Sequence, residues 1–103
     1  MAYEIIWSAR SGADLQEIDE YISKDNPAAA KRVVQGIVNR VARLARLPRL
    51  GRKYARVTSK EVRQIIAGKY RIFYSVNEPD SRIEVLRVWH GARQEPPLTN
   101  GLE

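Results

Sequence analysis

Between Glu61 and His90 three β-type runs follow one another with only short turns between them, and this succession restricts the fold more than any other feature of the chain. Glu61 to Ile66, Tyr70 to Val76 and Arg82 to His90 are rich in β-branched and aromatic residues. Ala67-Gly68-Lys69 separates the first pair, and Asn77 to Ser81, with Asn77, Pro79 and Asp80, separates the second. Connections of this length join antiparallel neighbours. A sheet so formed has an apolar face that something must cover.

The N-terminal half supplies the cover. Tyr3 to Trp7 reads as a short first strand, and Ser8 is a good cap for the helix after it, with Ser11 or Asp14 as later starts. Leu15, Ile18 and Ile22 recur at helical spacing with Tyr21 widening the stripe, while Gln16, Glu17, Asp19 and Glu20 face away. Asp25-Asn26-Pro27 stops this helix and caps the next, since proline at the first helical position loses no hydrogen bond. Ala30, Val34, Ile37, Val41 and Leu44 mark the second stripe, and Pro48 ends it. The segment from Pro48 to Ser59 reads as a long loop or irregular edge strand. The expectation is an α+β domain of order β-α-α-β-β-β, an antiparallel helix hairpin on an antiparallel sheet. One domain over residues 1–93 and a flexible tail over 94–103 follow, with Pro96, Pro97 and Gly101 in the tail.

Charge adds a second constraint. Eighteen Lys and Arg against twelve Asp and Glu give a formal charge of +6 and favour an anionic partner without choosing one. The chain has no cysteine, which excludes disulfides and thiolate metal sites and fits a reducing cytoplasm. With a single histidine, His90, and no ligand-spaced cluster, neither a metal nor any other cofactor is expected. No apolar run suits a membrane span, and no P-loop, dinucleotide fingerprint or serine elbow is present.

Strand alternation assigns faces. Tyr70, Ile72, Tyr74 and Val76 form the row expected under the helices, which leaves Arg71, Phe73 and Ser75 on the open face. The last strand splits less cleanly, and the cost of burying a charge in mid-strand puts Arg87 outward. The same logic points Arg63 outward and Val62, Gln64 and Ile66 inward. Arg63, Arg71 and Arg87 would then share one basic face that leads to Trp89, His90 and Arg93. Arginine at every one of these positions suits a phosphate or carboxylate partner.

The chain resembles the RelE/ParE superfamily of bacterial type II toxins, its ParE branch most of all. The resemblance rests on Trp7-Ser8, Ala13-Asp14-Leu15, Ile18, Tyr21-Ile22, Asn26-Pro27, Ala29-Ala30, Leu47-Pro48 and Gly51-Arg52, then on Glu61-Val62-Arg63, Gly68 to Tyr74 and Val85 to Arg93. It implies a cytoplasmic toxin neutralised by a cognate antitoxin of ribbon-helix-helix type, as in plasmid stabilization systems. ParE-like toxins poison DNA gyrase, whereas RelE-like toxins cut messenger RNA on the ribosome. RelE-like enzymes carry functional arginines at positions matched by Arg71 and Arg93, and a tyrosine or histidine in the C-terminal segment. Gln94 to Thr99 supplies neither, leaving His90 and Glu95 to move protons. The resemblance therefore favours a gyrase-directed, non-enzymatic toxin, with Arg63, Arg71, Arg87, Trp89, His90 and Arg93 as its binding surface. The alternatives are a ribosome-dependent endoribonuclease using Arg71, His90 and Arg93, and a non-toxic antitoxin-binding module.

Overall fold

The computed structural model describes residues 2–54 and 61–92. The tail 94–103 and Arg93 lie outside the described residues. Strand β1 (Glu4–Trp7) leads into helix α1 (Ala9–Ser23) and helix α2 (Pro27–Ala42), and a 3-10 turn (Arg43–Ala45) follows. Strands β2 (Arg52–Lys53), β3 (Val62–Ala67), β4 (Tyr70–Asn77) and β5 (Arg82–His90) complete the order. They form one five-stranded sheet in the order β1-β5-β4-β3-β2. The α+β architecture is the one the sequence implies, with two additions. β1 lies parallel to β5, so the sheet is mixed, and the loop after Pro48 contributes the two-residue edge strand β2.

Both helices start where their caps place them. The Ser8 side chain accepts the Ser11 N–H, and the Asn26 side chain accepts the Ala29 N–H ahead of Pro27. Helix α2 buries Ala30, Ile37 and Val41, and Leu44 follows from the 3-10 turn. Ile37, Val41 and Leu44 meet Ile65, Ile72, Tyr74, Val76, Ile83, Val85 and Val88 of the sheet in the main core. Tyr21 does not join them. It is 75% exposed, because the buried stripe of α1 runs through Leu15 and Ile18 and leaves Tyr21 on the rim.

Two local features set which side chains face where. The first is the two-residue hairpin Gly68-Lys69, in which Gly68 takes φ +60°, a conformation glycine adopts without steric cost. It pairs Ala67 with Tyr70, Ile65 with Ile72 and Arg63 with Tyr74. The expected face assignment of β3 is therefore inverted: Arg63, Ile65 and Ala67 lie on the helix side, and Val62, Gln64 and Ile66 on the other. A single-residue shift in register exchanges the faces of a whole strand. The second feature is a bulge in β5. Tyr74 pairs with Val85 and Phe73 with Arg87, so Leu86 is the extra residue. The bulge lets Val85 and Val88, three apart, both enter the main core, which explains why β5 fails to alternate.

The face away from the helices carries its own small core. Tyr54, which follows β2, donates its N–H to the Val62 carbonyl at 2.7 Å and stands edge-on to Phe73 at 5.0 Å between centroids. With Val62 and Leu86 it covers Phe73 completely, and Trp89 packs against the cluster.

Candidate binding surface

The described candidate residues fall on two sides of the sheet. Arg71 pairs in register with Trp89, and Phe73 with Arg87, which gives a two-by-two checker of guanidinium and ring on the face away from the helices. Each arginine lies over the aromatic of its own strand, Arg71 over Phe73 at 5.0 Å and Arg87 over Trp89 at 4.7 Å. The Arg71 Nε also donates to the Gln64 side chain at 3.0 Å. His90 pairs with Tyr70 and so lies on the helix side, edge-on to that ring at 5.3 Å. Its Nδ1 accepts the Ala92 N–H at 3.1 Å, which leaves the proton of the neutral ring on Nε2.

Arg87 is on the expected face, but its charge is taken up within the chain. β1 pairs with β5 only as far as Trp7 and Val85, and α1 then crosses the freed strand edge. Ser8 donates its N–H to the Val85 carbonyl at 3.0 Å and its hydroxyl to the Leu86 carbonyl at 3.2 Å, which fixes the first turn of α1 against the bulge. One turn on, the Asp14 carboxylate accepts the Val88 N–H at 2.9 Å and both Nε and Nη2 of Arg87, at 2.8 and 3.1 Å. The pair is nearly buried, with side-chain exposures of 12% for Arg87 and 7% for Asp14. Asp14 thus satisfies an edge backbone donor and neutralises an arginine at once. It carries the most consequential polar contact that the sequence assignments leave out. A signal for it exists: Asp14 precedes Ile18 and Ile22 by four and eight residues and so falls on the inward stripe, where a carboxylate needs a cationic partner.

Arg63 does not share the basic face, because its register places it with Tyr74. It lies near the margin of the sheet, where its Nε donates to Glu61 at 2.8 Å and its Nη1 to the Gly51 carbonyl at 2.8 Å. Arg49 forks onto the same Glu61 through two bonds of 2.9 Å. The Tyr74 hydroxyl accepts the Gly51 N–H and donates to the Pro48 carbonyl, each at 2.9 Å, and its burial raises the phenol pKa above the ordinary value. This network pins the 48–51 segment to the sheet.

Glu61 carries a pH dependence. Partial burial pushes its carboxyl up, but the hydrogen bonds from Arg49 and then Arg63 outweigh that and hold it below the ordinary 4.5. A carboxyl whose pKa is depressed on folding stabilises the folded state above its unfolded pKa, and the contribution disappears as pH falls through the folded value. Glu61→Gln is therefore expected to flatten the loss of stability below pH 4.5, read as urea midpoints against pH. An unchanged acid limb would show that the network adds nothing there.

On the helix side a groove of about 1340 Å³ runs between the hairpin and the β3–β4 turn. Ile18, Ile22, Val33, Ile37, Tyr70 and Val88 supply its apolar lining, while Glu17, Arg32, Arg40, Lys69 and His90 supply charge and polarity. The Arg40 Nε is buried there without a hydrogen-bond partner among the described residues.

A helix hairpin laid on a five-stranded mixed sheet with this order is the fold of the RelE/ParE toxins of type II toxin-antitoxin systems. A chain from the structure of the chromosomal ParDE TA system of P. aeruginosa superposes with a TM-score of 0.70 at 24% identity, over 86% of this chain and 96% of that one. The Mycobacterium tuberculosis RelBE2 complex gives 0.67 at 21% identity, over 87% and 99%. The chain belongs to the family of ParE toxins of the type II parDE system, whose model matches residues 5–95. Among relatives in sequence, a putative toxin, Y4kP, from Sinorhizobium fredii is 37% identical over 91% of this chain and 94% of its own length. The toxin RelE2 of Caulobacter vibrioides is 32% identical, over 87% and 97%. The protein is therefore a toxin of the type II toxin-antitoxin class.

Proposed function

We propose that this toxin arrests growth in the cytoplasm by binding and poisoning DNA gyrase rather than by cutting RNA. The observation that carries the reading is the separation of Arg71 from His90. Cleavage through a 2′-hydroxyl needs a base, an acid and a cation gathered on one phosphate, each within hydrogen-bond reach. Here Arg71 stands beside Trp89 on one face, and His90 lies on the other with Nδ1 engaged by Ala92. Arg87 faces away from the helices but is held by Asp14. With Phe73 buried and Arg87 nearly so, what this face offers for contact is the half-buried pair Arg71 and Trp89, with Ile66 52% exposed beside Arg71.

The antitoxin, of ribbon-helix-helix type, inhibits by laying an amphipathic segment into the groove between the hairpin and the β3–β4 turn. Its apolar side meets Ile18, Ile22 and Val33, and an acidic residue meets the Arg40 Nε, which has no partner among the described residues. Purified folded toxin should suppress gyrase supercoiling in a dose-dependent way, and adding the antitoxin should restore it. Undiminished supercoiling at stoichiometric excess of folded toxin would overturn the gyrase reading.

The endoribonuclease alternative draws on the relative named RelE2 and on Arg71. It requires messenger RNA cleavage in a translation extract that Arg71→Ala abolishes.

A further inference from the structure

The structure relocates the chain's positive charge. Of the sheet arginines on which the sequence places it, Arg63 is engaged by Glu61 and Arg87 by Asp14. From Pro27 to Arg49, in contrast, α2 and the segment after it contain no acidic residue. Arg32, Gln35, Asn39, Arg43 and Arg46 are all exposed and follow one another at spacings of three or four, opposite the buried stripe of Ala30, Ile37, Val41 and Leu44. At a rise of about 1.5 Å per residue, Arg32 and Arg43 stand about 17 Å apart along a straight ridge. Between them, the Gln35 side chain donates to Asn39 at 2.9 Å, so the ridge is polar along its length.

This charge does not serve the hairpin itself. Helix α1 is acidic on its outer side, with Glu17, Asp19 and Glu20 exposed, and it packs directly against α2. Among the described residues no ion pair joins the two helices. The C-terminal dipole of α2 favours Arg43 and Arg46, but Arg32 lies in the second turn, where a cation gains nothing from it.

We propose that the outer face of α2 and of the turn after it docks on the phosphate backbone of duplex DNA, a surface that stands apart from the gyrase reading and meets the groove only at Arg32. Two observations choose this partner. A stable protein interface is anchored by apolar or aromatic residues, and between Arg32 and Arg46 no large hydrophobic side chain is exposed, the exposed Leu47 lying just past the ridge. Single-stranded RNA is held largely by stacking on aromatic side chains, and this ridge has none. A rigid, convex ridge of arginine and amide donors suits a duplex backbone, whose contacts need charge and hydrogen bonds alone.

The test is fluorescence anisotropy of the full-length toxin with a mixed-sequence DNA duplex across a salt series. Single-stranded RNA and a polyglutamate peptide are the competing probes. Each phosphate contact contributes about 0.9 to the slope of log affinity against log salt, so R32Q/R43Q/R46Q should lower that slope by about 2.7. R82Q, on the far side of the sheet, should leave it in place. Circular dichroism confirms folding; should the triple variant unfold, R32Q/R43Q should lower the slope by about 1.8. An unchanged slope in a folded variant overturns the proposal. So does tighter binding of the RNA or of the peptide than of the duplex, the latter assigning the ridge to an acidic protein.

Discussion

Asp14→Ala is expected to destabilise the toxin by about 3–5 kcal/mol, the cost of leaving a buried partner charge uncompensated. The substitution strands the Arg87 guanidinium and also removes the acceptor of the Val88 N–H, so both charge and backbone at the β5 edge lose their partner. Set against a typical domain stability of about 5–15 kcal/mol, that is a large fraction of the total. Replacing both members with apolar residues of similar volume, as in Asp14→Leu with Arg87→Met, should recover much of the loss, because the desolvation of two charges disappears with their attraction. Urea midpoints of the single and double variants measure this. A single variant within about 1 kcal/mol of the wild type would mean that solvent reaches Arg87, in conflict with its burial.

The second large effect is expected at Gly51. A methyl group there would lie 2.5 Å from the Gln64 carbonyl oxygen and 2.8 Å from the Tyr74 hydroxyl. The first of these belongs to the β3 backbone and cannot swing aside. Gly51→Ala must therefore lift the 48–51 segment, breaking the Tyr74 bonds to Gly51 and Pro48 and the Arg63 bond to the Gly51 carbonyl. A loss of about 3 kcal/mol follows from overpacking together with those bonds. Tyr74→Phe removes only the hydroxyl and should cost about 1 kcal/mol. Because the two changes break the same contacts, the double variant should lose less than the sum. Strict additivity would show that Tyr74 does not hold the loop.

The sequence determines the helices of this protein more completely than its strand faces. Ser8, Asn26 and Pro27 act within a few residues of themselves, so their capping is legible without tertiary information. Strand facing depends on register, and register depends on two choices that composition does not display. One is the two-residue turn at Gly68-Lys69, which moved Arg63 to the helix side. The other is the Leu86 bulge, which ended the alternation of β5. Both choices decide which residues the candidate surface holds. Arg71, Arg87 and Trp89 share a face, but His90 does not join them, because consecutive strand residues point opposite ways. The parallel pairing of β1 with β5 is equally non-local, since it joins residues about eighty positions apart. Family resemblance reached the toxin class correctly because it draws on the whole succession from Trp7 to Arg93 and does not depend on which way any one side chain points.

Separating binding from cutting calls for one preparation of folded toxin divided between two reactions, gyrase supercoiling of a relaxed plasmid and translation of a messenger RNA in a bacterial extract. The proposed function predicts that relaxed plasmid persists as toxin approaches gyrase in concentration, while the transcript stays intact. Normal supercoiling with the transcript cut on the ribosome, and the cut lost in Arg71→Ala, would contradict it.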